Sequence, residues 1–82
     1  MNSPKKLVLL GATGSIGENT LKVIRKHPEK IELLGISAYQ NMEKLFDIAR
    51  EFQVLYASLV SPPPGKIDPP LNTRFYSEKD SL

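Results

Sequence analysis

The apolar positions of this chain follow two periods in turn. Leu7-Val8-Leu9-Leu10 is an unbroken apolar run that enters a glycine-rich turn, and a 3.6-residue period then runs from Ile16 to Ile24. A short apolar run closed by glycine predicts a buried parallel strand, Lys5 to Leu10, and the longer period predicts a helix from about Ser15 to Lys26. Ile16, Thr20, Val23 and Ile24 share one face of that helix, with Leu21 beside them. Arg25-Lys26-His27 suits a helix C-terminus, and Pro28 stops continuation. Ile31 to Ser37 is mostly apolar and predicts an interior strand. Asn41 then caps a second helix, in which Met42, Leu45, Phe46, Ala49 and Phe52 form a packing stripe. Val54 to Val60 predicts a third strand.

Beyond it, Ser61 to Pro70 holds five of the seven prolines and predicts an extended surface connection. Thr73-Arg74-Phe75-Tyr76 is a short strand candidate, and Ser77-Glu78-Lys79-Asp80 looks like the capped opening of another helix. There are no internal repeats. The order β-α-β-α-β predicts the α/β class: a Rossmann-like, doubly wound parallel sheet, of which this chain holds the N-terminal portion. Residues 1–60 form the β-α-β-α-β core, 61–71 the proline-rich connection and 72–82 a strand and a helix start. A helix begun and abandoned at Leu82 suggests a piece of a longer fold. Such a half-fold would leave a parallel-sheet edge and apolar faces uncovered.

Composition narrows the function classes. Eighty-two residues allow one small domain. The formal charge is +2, but the eleven basic residues are interleaved with nine acids, and no basic block exceeds Lys5-Lys6 in length. The aromatic residues do not alternate with basic ones as a base-stacking platform would, so the sequence does not indicate a nucleic-acid partner. The absence of cysteine excludes disulfides and thiolate metal sites. The apolar run after Lys5-Lys6 is too short for a signal peptide, and no segment approaches membrane-spanning length. These features predict a soluble protein.

The candidate chemistry lies in Gly11-Ala12-Thr13-Gly14-Ser15-Ile16-Gly17. Strand, glycine turn and helix N-terminus form a site for a nucleotide's diphosphate, because glycine lets backbone N–H groups approach phosphate oxygens and the helix dipole favours negative charge. The spacing is Gly-x-x-Gly-x-x-Gly, one residue wider than the familiar Gly-x-Gly-x-x-Gly, and Thr13 and Ser15 offer hydroxyl donors. A structural reading is also open: Ser15 followed by Glu18 has the form of a capping box, and Gly11 suits a plain strand-to-helix turn. The two readings are compatible. At the end of the second strand an acid would bind the ribose 2′-hydroxyl and select NAD. The sequence there is Ser37-Ala38-Tyr39-Gln40-Asn41, with neutral donors, which favours NADP. Asn41 also serves as an N-cap, and Tyr39 either stacks on adenine or lies exposed. Glu18, Glu29, Glu32, Glu43, Asp47 and Glu51 read as capping or solvated charges, and His27 as structural. No residue is assigned to catalysis or to a metal.

The run from Lys6 to Gly17, with Thr20-Leu21, His27-Pro28-Glu29 and a strand ending before Asn41, resembles the N-terminus of the deoxyxylulose phosphate reductoisomerase family. The resemblance covers residues 5 to about 60, including Tyr56-Ala57. It implies that Thr13, Gly14, Ser15 and Ile16 line the diphosphate and nicotinamide side of NADPH, with Ala38, Tyr39, Gln40 and Asn41 around the 2′-phosphate; Gly11 and Gly17 of the glycine loop complete the candidate cofactor-binding residues. It further implies a cytoplasmic homodimeric enzyme of non-mevalonate isoprenoid biosynthesis. That enzyme isomerises and reduces a sugar phosphate, deoxyxylulose phosphate, to methylerythritol phosphate with Mg2+ or Mn2+, whose ligands lie outside this chain. Two other readings stay open at this point: a semialdehyde dehydrogenase-like NADP-dependent reductase, and a non-catalytic NADP-sensing module.

Overall fold

The computed structural model describes residues 4–77. Its elements are β1 (Lys5–Leu9), α1 (Ser15–Lys26), β2 (Ile31–Ala38), α2 (Met42–Phe52), β3 (Tyr56–Leu59) and β4 (Arg74–Ser77). The strands form one parallel sheet in the order β1-β2-β3-β4. The expected α/β architecture is present, with shifts at strand ends: β1 stops one residue early, β2 runs on through Ala38, and β3 is shorter than the apolar run Val54 to Val60. Ser77 closes β4, and the rest of the helix opening expected at Glu78 to Asp80 lies outside the described residues.

Burial explains which residues share a face. Leu7 and Leu9 of β1 pair with Leu33 and Ile36 of β2, so a two-residue step on one strand meets a three-residue step on the other. Leu34 is the extra residue, a bulge that keeps Leu33 and Ile36 on the same face. That face carries the core. Leu33, Ile36, Ala38, Ala57 and Leu59 of the sheet meet Leu21 and Ile24 of α1 and Leu45, Phe46, Ile48 and Ala49 of α2. The buried face of α1 is Gly17, Leu21 and Ile24; Ile16 and Val23, expected on it, are exposed. A helical stripe read from sequence has no fixed origin, and Gly17 rather than Ile16 sets it here. On α2 the predicted stripe is buried or half-buried, with Ile48 added.

The proline-rich connection carries the chain from β3 to the parallel β4. It adds Ile67 to the edge of the core. Thr73, buried, donates its hydroxyl to the Val54 carbonyl at 2.7 Å, and the Arg74 N–H donates to Leu55 O at 2.8 Å, which starts β4. Phe75 then meets Phe46 edge-on, with ring centroids 5.6 Å apart. The opposite face of the sheet leaves Val8, Leu10, Tyr56 and Tyr76 exposed. At the far end of the helices, Arg25 grips Glu51 with two hydrogen bonds of 2.5 and 2.8 Å, its guanidinium 5.4 Å above the Phe52 ring.

Hydrogen bonding from Arg25 holds the Glu51 carboxyl below its ordinary value of 4.5. A carboxylate whose value falls on folding stabilises the fold above its unfolded value, and that contribution is lost as pH falls through the lowered one. Glu51→Gln is therefore expected to give a flatter acid limb in thermal unfolding followed from neutral pH into the acid range. Parallel acid limbs in the two proteins would show that the pair adds nothing to the fold.

Candidate functional site at the carboxyl ends of the strands

Each glycine of the loop answers a different constraint. Gly11 has φ +68°, a left-handed conformation that lets the chain turn sharply out of β1. Gly17 faces the turn so closely that a Cβ would lie 2.5 Å from Gly11 O and 2.6 Å from Ala12 O, both backbone atoms. A Cβ at Gly14 would lie 3.5 Å from Gly11 O, an ordinary contact, so nothing within the chain requires glycine there. The Ala12 side chain is fully buried, and its N–H donates to Ser37 O at 2.8 Å. That bond docks the loop against the end of β2.

The structure corrects the capping-box reading of Ser15 and Glu18. Gly14, with extended backbone, is the N-cap of α1, and no side chain caps it. The Gly14 N–H donates to Gly11 O at 3.1 Å, and the first helical bond runs from Glu18 N–H to Gly14 O at 2.9 Å. The N–H groups of Ser15, Ile16 and Gly17 precede that bond, and helix geometry gives them no acceptor within α1. They lie at the positive end of the helix dipole. Ile16, strongly exposed, stands at the same end.

Glu18 is used elsewhere. Its carboxylate accepts from Lys44 Nζ at 2.5 Å, and that bond holds the carboxyl below its usual range. The same ammonium donates to Thr13 O at 3.3 Å. Lys44 is the residue that sequence reasoning missed. It lies 31 positions from Thr13, and only the packing of α2 beside α1 brings the two together.

The second group of predicted residues sits beside the loop. Ala38 ends β2 and is buried, whereas Tyr39, Gln40 and Asn41 are exposed. Asn41 is the N-cap of α2, as expected, its side-chain oxygen accepting from Lys44 N–H at 3.1 Å. Val60 N–H and Ser61 N–H donate to Ala38 O and Tyr39 O at 3.1 and 2.8 Å. These bonds bring the proline-rich segment alongside, and Gln40, Asn41, Ser61 and Pro62 to Pro64 line an open cavity of about 480 Å³. All ten predicted residues thus gather at the carboxyl ends of β1 and β2, where open α/β sheets place their ligands.

Donors, dipole and glycine spacing suit a dinucleotide diphosphate. A divalent metal is a different matter. Among the described residues no three His, Cys, Asp or Glu side chains come together to hold one, and Glu18, Asp47 and Glu51 are taken up by Lys44, Arg50 and Arg25. His27 is the C-cap of α1, its N–H donating to Ile24 O at 3.0 Å. No described helix is long and apolar enough to cross a membrane.

Fold and loop define a Rossmann-like α/β protein with a glycine turn opening its first helix. The family model described as 1-deoxy-D-xylulose 5-phosphate reductoisomerase matches residues 7–64. The chain belongs to that family. A relative of that name from Clostridium botulinum is 48% identical over 56 residues, which is 68% of this chain and 14% of the relative. The solved structure of the Zymomonas mobilis enzyme in complex with NADPH aligns at a TM-score of 0.69 and 31% identity, over 74% of this chain and 16% of the other. A crystal structure of a DOX-P reductoisomerase in complex with NADPH, fosmidomycin and magnesium aligns at 0.77 and 26% identity, over 94% and 20%. The chain thus spans a small part of the length of these relatives. Family membership selects the reductoisomerase reading over the semialdehyde dehydrogenase-like one.

The contact at Gly17 gives a direct test. Gly17→Ala is expected to force α1 away from the turn and to cost about 1–3 kcal/mol in denaturant unfolding, as overpacking does. Gly14→Ala, whose Cβ would make only ordinary contact with Gly11 O at 3.5 Å, is expected to cost less. Equal losses at the two positions would contradict the assignment of close packing to Gly17.

Proposed function

We infer that this chain is the NADPH-binding segment of a 1-deoxy-D-xylulose 5-phosphate reductoisomerase, residues 1–60 forming the cofactor core. The single observation that carries the reading is the loop in which Gly11 turns the chain, Gly17 admits the helix, and Gly14 stays open toward solvent. The N–H groups of Ser15, Ile16 and Gly17 donate to the cofactor's diphosphate, with the Thr13 and Ser15 hydroxyls beside them. Exposed Ile16 offers an apolar surface on the nicotinamide side. The 2′-phosphate lies by Ala38, Tyr39, Gln40 and Asn41, a run that itself contains no carboxylate. NADPH supplies hydride when bound, and the residues here bind and orient it.

Membership of the family supports a further reading of the whole enzyme, which we propose rearranges deoxyxylulose phosphate and reduces it to 2-C-methyl-D-erythritol 4-phosphate, with magnesium or manganese, as a cytoplasmic homodimer. Among the described residues no three potential metal ligands come together, and no step of that reaction is assigned to a residue of this chain. Hydride transfer needs cofactor and substrate held in one oriented pocket, and these residues supply the cofactor side.

Gly14→Val is expected to place a branched side chain against the diphosphate and weaken NADPH binding at least tenfold in calorimetric titration, with the fold intact by circular dichroism. Unchanged affinity would contradict the loop assignment. The unmodified chain is expected to bind NADPH more tightly than NADH. Ala38→Asp should erode or reverse that preference, because a carboxylate accepts from a ribose hydroxyl and repels a phosphate. Equal binding of both cofactors by the unmodified chain would overturn the reading of Ala38 to Asn41.

A further inference from the structure

We propose that Lys44 is a positioning residue for the cofactor loop, clamping the glycine turn and the start of α1 to α2 so that the diphosphate donors keep a fixed distance from Asn41. The proposal rests on the cofactor reading above. Lys44 reaches three parts of the site. Its backbone N–H closes the Asn41 cap at 3.1 Å, and its ammonium donates to Thr13 O at 3.3 Å and to Glu18 at 2.5 Å. The bond to Thr13 O fixes the orientation of the Thr13–Gly14 peptide, whose N–H in turn donates to Gly11 O at 3.1 Å. With that carbonyl held toward α2, the N–H groups that follow it are left facing outward.

Electrostatics points the same way. A loop carbonyl turned toward the ligand would oppose a diphosphate, and an ammonium bonded to it offsets that negative end. Glu18, in the first turn of α1, would likewise repel the diphosphate if left unpaired, and Lys44 takes up its charge. The pair is partly exposed, so its direct contribution to stability is small. Its consequence lies in geometry. Two helix N-termini that flank one ligand are joined by a single side chain, and no other hydrogen bond between side chains of α1 and α2 reaches this end of the sheet among those described.

Positioning and direct contact predict different cofactor profiles. A residue that shapes the diphosphate loop acts on NADPH and NADH alike, whereas one that touches the 2′-phosphate acts on NADPH alone. Titration of the 82-residue chain with each cofactor, for the parent, Lys44→Met and Lys44→Arg, separates them. Lys44→Met is expected to weaken both cofactors about tenfold, the scale of one lost charge-assisted hydrogen bond, and to leave their ratio unchanged. Lys44→Arg, which keeps the charge and the donors, is expected to recover most of that loss. A fall confined to NADPH would overturn the proposal in favour of a phosphate contact. Lower thermal stability with both affinities unchanged would overturn it in favour of a purely structural pair. A parent chain that binds neither cofactor would instead refute the cofactor reading, a result distinct from both.

Discussion

The site depends on one close approach, that of Gly17 to the backbone of Gly11 and Ala12. With a Cβ at Gly17 the two oxygens would lie 2.5 and 2.6 Å away, well inside contact distance. Because the Cβ is missing, α1 starts directly over the turn, and Leu21 and Ile24 reach the sheet one and two turns later. The same approach leaves the helix N-terminus beside the end of β2. Gly11 makes it possible by turning the chain with a positive φ, and the bond from Ala12 N–H to Ser37 O locks the result. Loop position, helix packing and the gathering of candidate residues are therefore one constraint seen at three scales.

The sheet supplies the rigid background. Its helix-covered face is a continuous core, and the Leu34 bulge lets β2 keep pace with β1 across it. The proline-rich connection contributes in an unexpected way. It forms neither helix nor strand, but at its entry Val60 and Ser61 bond to Ala38 and Tyr39 before the chain crosses to β4, and so it becomes one wall of the cavity beside Gln40 and Asn41. Three segments distant in sequence thus meet at one end of the sheet.

Much of this was legible in the residues. The apolar run ending in glycine, the Asn41 cap and the stripe on α2 each encode a local event, and the corresponding elements fall where the pattern put them. The local pattern misleads where the outcome depends on tertiary contact. Ser15 and Glu18 have the spacing of a capping box, but Glu18 meets Lys44, 26 positions away, and the ion pair takes its carboxylate. Ile16 looks like a core residue because periodicity sets a stripe's width and not its angle, and the contact at Gly17 fixes the angle. Lys44 carried no signal, since nothing local distinguishes it from any other lysine in a helix's first turn.

In the proposed assignment, the loop's backbone N–H groups are the donors for the cofactor diphosphate. Backbone amide chemical shifts of the isotope-labelled chain, followed during titration with NADPH, test it most directly. Saturable shifts are expected to concentrate at Thr13 to Gly17, with a second group at Tyr39 to Asn41, while the amides of Arg25, Lys26, His27 and Glu29 at the other end of α1 stay in place. Shifts centred away from the glycine loop, or saturation that leaves Ser15, Ile16 and Gly17 unmoved, would contradict it.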